Sequence, residues 1–169
     1  MSFASVTYPE DKAARYEMMT GQIRALTDGI SHPISNLANT AALLWQGMPD
    51  INWCGFYLMD KGALMLGPFC GLPACIRIPL GRGVCGTAAQ MDETQRVYDV
   101  HQFPGHIACD SASNSEIVIP IHFGGRVIGV LDIDSPLTGR FDETDQEKLS
   151  QLVRYLEKCC DWSQTGYTL

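Results

Sequence analysis

The sequence predicts an α+β domain in which helices pack on a central antiparallel sheet. Two segments with helical apolar periodicity, residues 8–27 and 33–45, precede a strand-like segment, residues 51–59. Further along, a hairpin over residues 117–134 turns at two adjacent glycines, and an amphipathic segment follows at residues 143–158. Each kind of element carries an apolar face, so we expect the helices and the sheet to cover each other.

Capping and breaking residues mark the ends of the predicted helices. Pro9 and two acidic residues lie in the first turn of the first helix, and Gly47 and Pro49 close the second. Asp142 is the capping candidate for the last helix. These residues set the predicted helix bounds.

The predicted sheet begins at residues 51–59, whose aromatic content suits a half-buried strand. Residues 63–69 return after a turn, and residues 76–79 form a short extended piece. The glycine-rich run Gly81-Arg-Gly83 then opens a helical stretch, and residues 96–100 are a further strand candidate.

Length, charge and the absence of a sorting signal limit the possible functions. The 169 residues fit one domain, 1–169, with helices in 1–50, the sheet and the loops expected to carry a functional site in 51–135, and the C-terminal helix in 142–160. The net charge of −7, without a lysine or arginine cluster, argues against nucleic-acid binding. With no export signal and no long apolar run, we expect a cytoplasmic protein that makes no contact with a membrane. A homodimer is compatible with this expectation. In that reducing compartment the seven cysteines are thiols rather than a disulfide framework.

The register of the predicted hairpin decides which acidic residues meet. With a plain two-residue turn at Gly124-Gly125, Ile117 faces Asp132, and Glu116 points to the side of the sheet opposite Asp132 and Asp134. A three-residue loop or one bulge shifts the pairing by one residue and brings Glu116 onto the face of both aspartates. We predict the shifted register.

Cys109 lies in an unusual context for an inert thiol. Its segment reads Gly105-His-Ile-Ala-Cys-Asp-Ser-Ala-Ser-Asn-Ser-Glu116, residues that favour turns and expose backbone N–H groups. We therefore interpret Cys109 as a nucleophile. Cys75 and Cys85 lie upstream in stretches rich in glycine and proline, which suits segments that move.

Five motifs occur in a characteristic order along the chain. They are Gly81-Arg-Gly-Val-Cys-Gly-Thr-Ala88, Asp99-Val-His101, Gly105-His-Ile-Ala-Cys-Asp110, Ser113-Asn-Ser-Glu116 and Ile128-Gly-Val-Leu-Asp-Ile-Asp-Ser135. Together they closely resemble the free methionine-(R)-sulfoxide reductases, enzymes built on a GAF domain. The resemblance covers most of residues 53–135 and implies a single GAF-like domain that reduces free methionine-(R)-sulfoxide.

The resemblance implies a role for each of three cysteines. Cys109 would attack the sulfoxide, Cys75 would be the main resolving thiol, and Cys85 would be an alternative or auxiliary one. No cofactor would be bound. Thioredoxin, reduced in turn with NADPH, would be the external dithiol that recycles the enzyme.

The resemblance also implies the residues of a substrate pocket. Trp53 and Tyr57 would line the pocket for the side chain of the substrate. Three carboxylates would hold the amino acid and assist protonation, those of Glu116, Asp132 and Asp134.

The chemistry of the reaction fits these residue types. Reducing a sulfoxide needs a nucleophile for sulfur, a proton for the departing oxygen and a second thiol that regenerates the first. Carboxylates crowded on one face raise one another's pKa, so one can stay protonated, and Asp134 is the first candidate for that acid. Acidic side chains suit the substrate ammonium, and backbone N–H groups of Ile107 and Ala108 suit its carboxylate. This pattern predicts rejection of peptide-bound and (S)-sulfoxide substrates.

Other interpretations of the same residues remain open. The domain could be a non-catalytic GAF sensor for a small ligand, or a thiol peroxidase. His101 and His106 lie near cysteines, but their spacing does not match a zinc site, so we predict no metal. The alternation around Asp132 and Asp134 also suits a solvent-facing strand. The remaining cysteines, Cys54, Cys70, Cys159 and Cys160, are interpreted as buried structural thiols.

Overall fold

The computed structural model describes residues 6–105 and 111–168. In those ranges the helices are α1 (Lys12–Thr27), α2 (Pro33–Gly47), α3 (Gly83–Met91) and α4 (Glu143–Cys159). The strands are β1 (Trp53–Asp60), β2 (Ala63–Gly71), β3 (Arg77–Pro79), β4 (Gln95–Val97), β5 (Ser115–Phe123) and β6 (Arg126–Ser135). None of these helices combines the length and the apolar character needed to span a bilayer.

The six described strands form one sheet in the order β3-β2-β1-β6-β5-β4. Every pair of neighbouring strands is antiparallel. Helices α1, α2 and α4 pack on one face of the sheet, and α3 packs on the other. The predicted α+β class, with helices on a central antiparallel sheet, is confirmed.

The alternation of strand residues divides the interior into two clusters. Phe56, Ile117 and Leu131 point to the face covered by α1, α2 and α4, where they are fully buried. Burying a side chain of this size stabilises the fold by about 1.5–3 kcal/mol. The residues one position away in sequence point to the α3 face, and the smaller cluster there includes Trp53 and Val118. The face under α3 is the one that carries the candidate site.

A buried carboxylate joins α1 to α4. Asp145, in the first turn of α4, accepts hydrogen bonds from Lys12 Nζ at 2.9 Å, Arg140 Nη1 at 3.1 Å and the Tyr16 hydroxyl at 2.8 Å. Its side chain also accepts from the backbone N–H of Asp142, the helix cap, in a reciprocal capping box. The prediction of Asp142 as the cap is therefore confirmed.

Two predicted boundaries were wrong by more than two residues. The first helix begins at Lys12 rather than at residue 8, because Asp11 caps it by accepting the backbone N–H of Ala14 at 2.8 Å. The strand predicted at residues 96–100 ends at Val97. The chain then turns into a short 3-10 helix, whose cap Asp99 accepts the backbone N–H of His101.

Candidate active site

The hairpin of β5 and β6 contains one bulge. At the Gly124-Gly125 turn the pairing is that of a plain two-residue loop, but it shifts by one residue between Ile121 and His122. Beyond the shift, Glu116 pairs with Asp134. The predicted register is confirmed, and a bulge rather than a longer loop produces it.

Strand β1 brings two aromatic residues to the same face. Trp53 pairs with Asp134, and Tyr57 lies four residues further along β1. On the other side of Asp134 stands Glu116, and Asp132 lies two residues before it on β6. Because side chains two apart on a strand share a face, all five residues point towards α3.

A cavity lies between this face and α3. The described residues that line it are Trp53, Tyr57, Pro73, Ala74, Ile78, Arg82, Gly83, Val84, Cys85, Ser113, Glu116, Asp132 and Asp134. Its free volume is about 40 Å³, which holds a few water molecules at most and is far below the size of ordinary ligand pockets. As it stands in this structure, the cavity is too narrow for an amino acid.

The aromatic wall of the cavity is a short stack. The ring of Trp53 lies between those of Tyr57 and Phe69, at centroid distances of 5.8 and 5.3 Å. The Trp53 indole N–H donates to the carbonyl of Leu72 at 3.1 Å, and the Tyr57 hydroxyl donates to the carbonyl of Cys75 at 3.0 Å. Both polar atoms of the wall thus bind the segment that carries Cys75.

Burial and mutual repulsion set the protonation of the acids. Glu116 and Asp132 are each only 6% exposed. Burial, together with the negative charges of Asp132 and Asp134, raises the pKa of Glu116 well above its usual range. Burial raises the pKa of Asp132 to about 6. One carboxyl of the cluster can therefore hold a proton near neutral pH.

One oxygen of Asp132 is available to a ligand. Asp132 Oδ1 is buried and has no hydrogen-bond partner among residues 6–105 and 111–168. Leaving a buried acceptor unpaired costs about 1–3 kcal/mol, and a donor entering the cavity would remove that cost.

The two upstream cysteines differ in state and in surroundings. Cys75 is half-buried and disulfide-bonded. Cys85 is a free, buried thiol in the first turn of α3, with its Sγ 3.9 Å from Glu116 Oε1. Burial first, and then the charges of Asp132 and Glu116, raise the pKa of Cys85 well above its usual range. Cys85 is therefore held in its unreactive protonated form.

The same residues are the candidate metal ligands in the described ranges. One ligand atom each from Cys85, Glu116 and Asp132 lies within 4.8 Å of the others. No histidine of residues 6–105 and 111–168 joins this group. His101 is instead 2.9 Å from Asn114 Oδ1 through its Nε2, so it serves to anchor the chain before β5.

Two cavity residues with polar side chains, Arg82 and Ser113, were missed by sequence reasoning. Arg82 is the N-cap residue of α3, and its exposed side chain makes no hydrogen bond or ion pair with any described residue. The signal was present, because Arg82 lies within the motif that we interpreted only through its glycines. Ser113 is buried, and its hydroxyl accepts from Asn52 Nδ2 at 3.0 Å.

The rest of the serine-rich motif has a structural role. Asn114 Nδ2 donates to the carbonyl of Pro136 at 2.7 Å, and the Ser115 hydroxyl donates to that of Leu137 at 2.6 Å. These bonds fix the start of β5, so that Glu116 enters the cavity.

The other predicted site residues are placed as follows. Cys109, Ile107 and Ala108 lie outside the described residues. Of the cysteines interpreted as structural, Cys54 and Cys160 are buried in the larger cluster, while Cys70 and Cys159 pack against it. They are therefore separated from the cavity by the sheet.

Comparison with known proteins identifies the family. Residues 35–158 match the model of a GAF domain. The chain is 53% identical over 148 residues to the free methionine-R-sulfoxide reductase of Escherichia coli, covering 88% of this chain and 90% of that protein. Identity to the free methionine-R-sulfoxide reductase of Saccharomyces cerevisiae is 43% over 152 residues, covering 85% and 84%.

A solved structure gives the same result. The X-ray structure of free methionine-R-sulfoxide reductase from Neisseria meningitidis, in complex with its substrate, superposes with a TM-score of 0.90 at 46% identity. The match covers 95% of this chain and 97% of that one. With the fold, the motifs and the relatives in agreement, the chain belongs to the free methionine-(R)-sulfoxide reductases, a family of oxidoreductases built on a GAF domain.

Proposed function

We propose that this protein reduces free L-methionine-(R)-sulfoxide to methionine with its own thiols. The observation that carries the proposal is the convergence of Glu116, Asp132 and Asp134 with two aromatic side chains on one cavity. The disulfide-bonded Cys75 directly follows Ala74, which lines the same cavity, and its carbonyl accepts the Tyr57 hydroxyl. The names of the relatives support the substrate.

The cycle has three balanced steps. The thiolate of Cys109 attacks the sulfur of the substrate, the sulfoxide oxygen passes to Cys109 as a sulfenic acid, and methionine leaves. The thiol of Cys75 then displaces that oxygen as water and forms a disulfide with Cys109. An external dithiol, for which we propose thioredoxin in the cytoplasm, reduces the disulfide and restores both thiols.

The acids supply the proton and bind the amino group. The raised pKa of Glu116 favours a proton on the pair that it forms with Asp134 across the hairpin. We propose that Asp134 meets the sulfoxide oxygen and that Glu116 supplies it with that proton. The buried, unpaired oxygen of Asp132 suits the substrate ammonium, whose positive charge would also relieve the repulsion among the three acids.

A cation at the edge of the cavity suits the substrate carboxylate. Arg82 lines the cavity, and its guanidinium has no partner among the described side chains. We propose that it assists the backbone N–H groups of Ile107 and Ala108 in binding that carboxylate. A peptide bond would replace the carboxylate with a neutral amide, which gives the pocket a reason to reject peptides.

Cys75 is preferred to Cys85 as the resolving thiol. The disulfide that it carries is the product expected of a resolving thiol, and its partial exposure favours later access by the reductant. Cys85 has neither property, since it is buried and stays protonated.

Burst measurements on serine variants test this cycle. Reduced protein is mixed with several equivalents of free (R)-sulfoxide, and methionine and protein disulfide are quantified after rapid quenching. Cys109→Ser should form no methionine. Cys75→Ser should form one equivalent and then stop, whereas Cys85→Ser should continue when thioredoxin is supplied. Saturable binding of the sulfoxide by wild type without any methionine would support a ligand-sensing domain instead.

A further inference from the structure

Two hydrogen bonds connect the cavity wall to the segment between β2 and β3, residues 72–76, which we call the resolving segment. Tyr57 holds the carbonyl of Cys75, and Trp53 holds that of Leu72. Both donors are buried side chains on β1, a central strand of the sheet. The resolving segment is itself largely exposed, with Leu72 and Ile76 at 61% and 71%. The buried strand β1 thus holds the solvent-exposed resolving segment through these two hydrogen bonds.

In this structure the two bonds act together with the disulfide of Cys75 and with the bond from the Leu66 backbone N–H to the Ile76 carbonyl at 2.9 Å, and the resolving segment narrows the cavity. Pro73 and Ala74 of the resolving segment form part of the cavity lining, and the free volume of about 40 Å³ is too small for an amino acid. A substrate can enter only if part of the lining moves. The exposed resolving segment can move at less cost than the buried strands, because it gives up fewer packing contacts.

We propose that Tyr57 and Trp53 are positioning residues for the resolving step. By holding the resolving segment against the cavity, they keep Cys75 where a disulfide can form, and their release admits the substrate. The step they assist is attack of the Cys75 thiol on the sulfenic acid of Cys109, in which an S–S bond forms and water leaves. This inference rests on the proposed function, to which it adds a second task for residues that line the pocket.

The proposal predicts opposite effects on two steps. Tyr57→Phe keeps the aromatic ring and removes only the hydroxyl, so the closed position of Cys75 should become less populated. Loss of one hydrogen bond should slow disulfide formation about fivefold. The KM for the free sulfoxide should fall or stay constant, because an open segment admits substrate more easily. A residue that only contacts the substrate would raise KM.

The experiment follows sulfenic acid and disulfide separately. Reduced wild type, Tyr57→Phe and Trp53→Phe are mixed with one equivalent of free (R)-sulfoxide, quenched with a thiol-alkylating reagent or a sulfenic-acid trap, and analysed by mass spectrometry. Sulfenic acid should persist longer in both variants, and disulfide formation should slow more than methionine formation. Tyr98→Phe is the control, because Tyr98 is 73% exposed and does not line the cavity.

A second arm uses hydrogen peroxide, which oxidises a cysteine thiolate to sulfenic acid without the amino acid. The fivefold delay in disulfide formation should recur in that arm, even if wild type failed to reduce the sulfoxide. Unchanged disulfide formation in Tyr57→Phe, or a raised KM with an unchanged resolving rate, would overturn the proposal. Matching far-UV spectra and unfolding midpoints establish that the variants are folded.

Discussion

Glu116 pairs with Asp134 across the β5–β6 hairpin because one bulge, between Ile121 and His122, shifts the register by one residue. Without that shift Glu116 would point into the helix-covered core on the other face. The acid cluster therefore depends on a backbone irregularity about five residues away from it. The crowding of these carboxylates should make the free energy of unfolding depend on pH.

Asp132→Asn should change the pH dependence of folding. The raised pKa of Asp132 means that the folded state prefers the neutral carboxyl. Its contribution to stability is therefore fully present below pH 3.8 and is lost as the pH rises through about 6. A tenfold change in proton affinity is worth about 1.4 kcal/mol, so the loss approaches about 3 kcal/mol. Asparagine cannot ionise, so the variant does not lose this stability as the pH rises.

Urea unfolding of both proteins at pH 3.5 and pH 7 measures this effect. The stability of Asp132→Asn relative to wild type, measured as the difference between their free energies of unfolding, should be greater at pH 7 than at pH 3.5 by up to about 3 kcal/mol. Asp28→Asn, at the exposed C-cap of α1, controls for the general effect of removing a negative charge. Equal differences at the two pH values would mean that Asp132 is not desolvated.

Gly55→Ala should be strongly destabilising, and Gly21→Ala should not. A Cβ at Gly55 would lie 2.3 Å from the Cβ of Phe69 and 2.7 Å from the Trp53 ring, inside the aromatic stack. Overpacking of this kind costs about 1–3 kcal/mol. At Gly21, in α1, the added methyl meets nothing within 4 Å, and alanine should stabilise the helix by about 0.5–1 kcal/mol.

Thermal or urea unfolding compares these two glycine variants. Both substitutions add one methyl group. If Gly55→Ala lowers the stability and Gly21→Ala raises it, the cost comes from the tight packing of the cavity wall around Gly55. A tolerated Gly55→Ala, with unchanged stability and KM, would show that the stack can move apart at little cost.

Arg82→Gln should weaken discrimination between the free amino acid and its amide. The variant keeps hydrogen-bonding capacity but loses the charge that would pair with the substrate carboxylate. Because a charged hydrogen bond at an exposed site is worth about 1.5 kcal/mol, kcat/KM for free (R)-sulfoxide should fall about tenfold. The value for the (R)-sulfoxide of methioninamide should change much less.

Arg77→Gln provides the matched control for Arg82→Gln. Arg77 is an exposed arginine of β3, five residues away in sequence, that does not line the cavity. Its substitution should leave both substrates unaffected. If Arg82→Gln lowers kcat/KM equally for the free acid and for the amide, Arg82 supports the N-terminus of α3 and does not bind the substrate carboxylate.

Cys85→Ser should retain repeated turnover at a reduced kcat/KM. The hydroxyl can still donate to Glu116, but the smaller oxygen fills the buried site less well, which should cost about 1 kcal/mol of stability. Thioredoxin-coupled assays check the turnover. Arrest after one equivalent of methionine would identify Cys85 as an obligatory resolving thiol and would contradict the preference for Cys75.

Much of the fold could be predicted because local signals and packing agree. The four helices and the β5–β6 hairpin follow from apolar periodicity, the paired glycines and the cap at Asp142. The start of α1 and the end of β4 depend instead on single capping side chains, those of Asp11 and Asp99. Apolar periodicity does not show which of several neighbouring polar residues will cap the backbone.

The site was predictable in part for a similar reason. Alternation places Asp132 and Asp134 on one face but does not say whether solvent or α3 covers it, and only the tertiary structure decides that. Arg82 was missed because cavity lining depends on how α3 packs on the sheet. The link from Tyr57 to Cys75 joins residues eighteen positions apart across a turn, and no pattern of residue types indicates such a bond.

The measurement that tests the account most directly is thioredoxin-coupled NADPH oxidation with three substrates. These are free L-methionine-(R)-sulfoxide, its (S) epimer, and the (R)-sulfoxide blocked at both its amino and carboxyl groups. We predict turnover of the free (R) epimer alone, abolished in Cys109→Ser. Comparable turnover of the blocked compound would contradict a pocket that recognises the charges of a free amino acid.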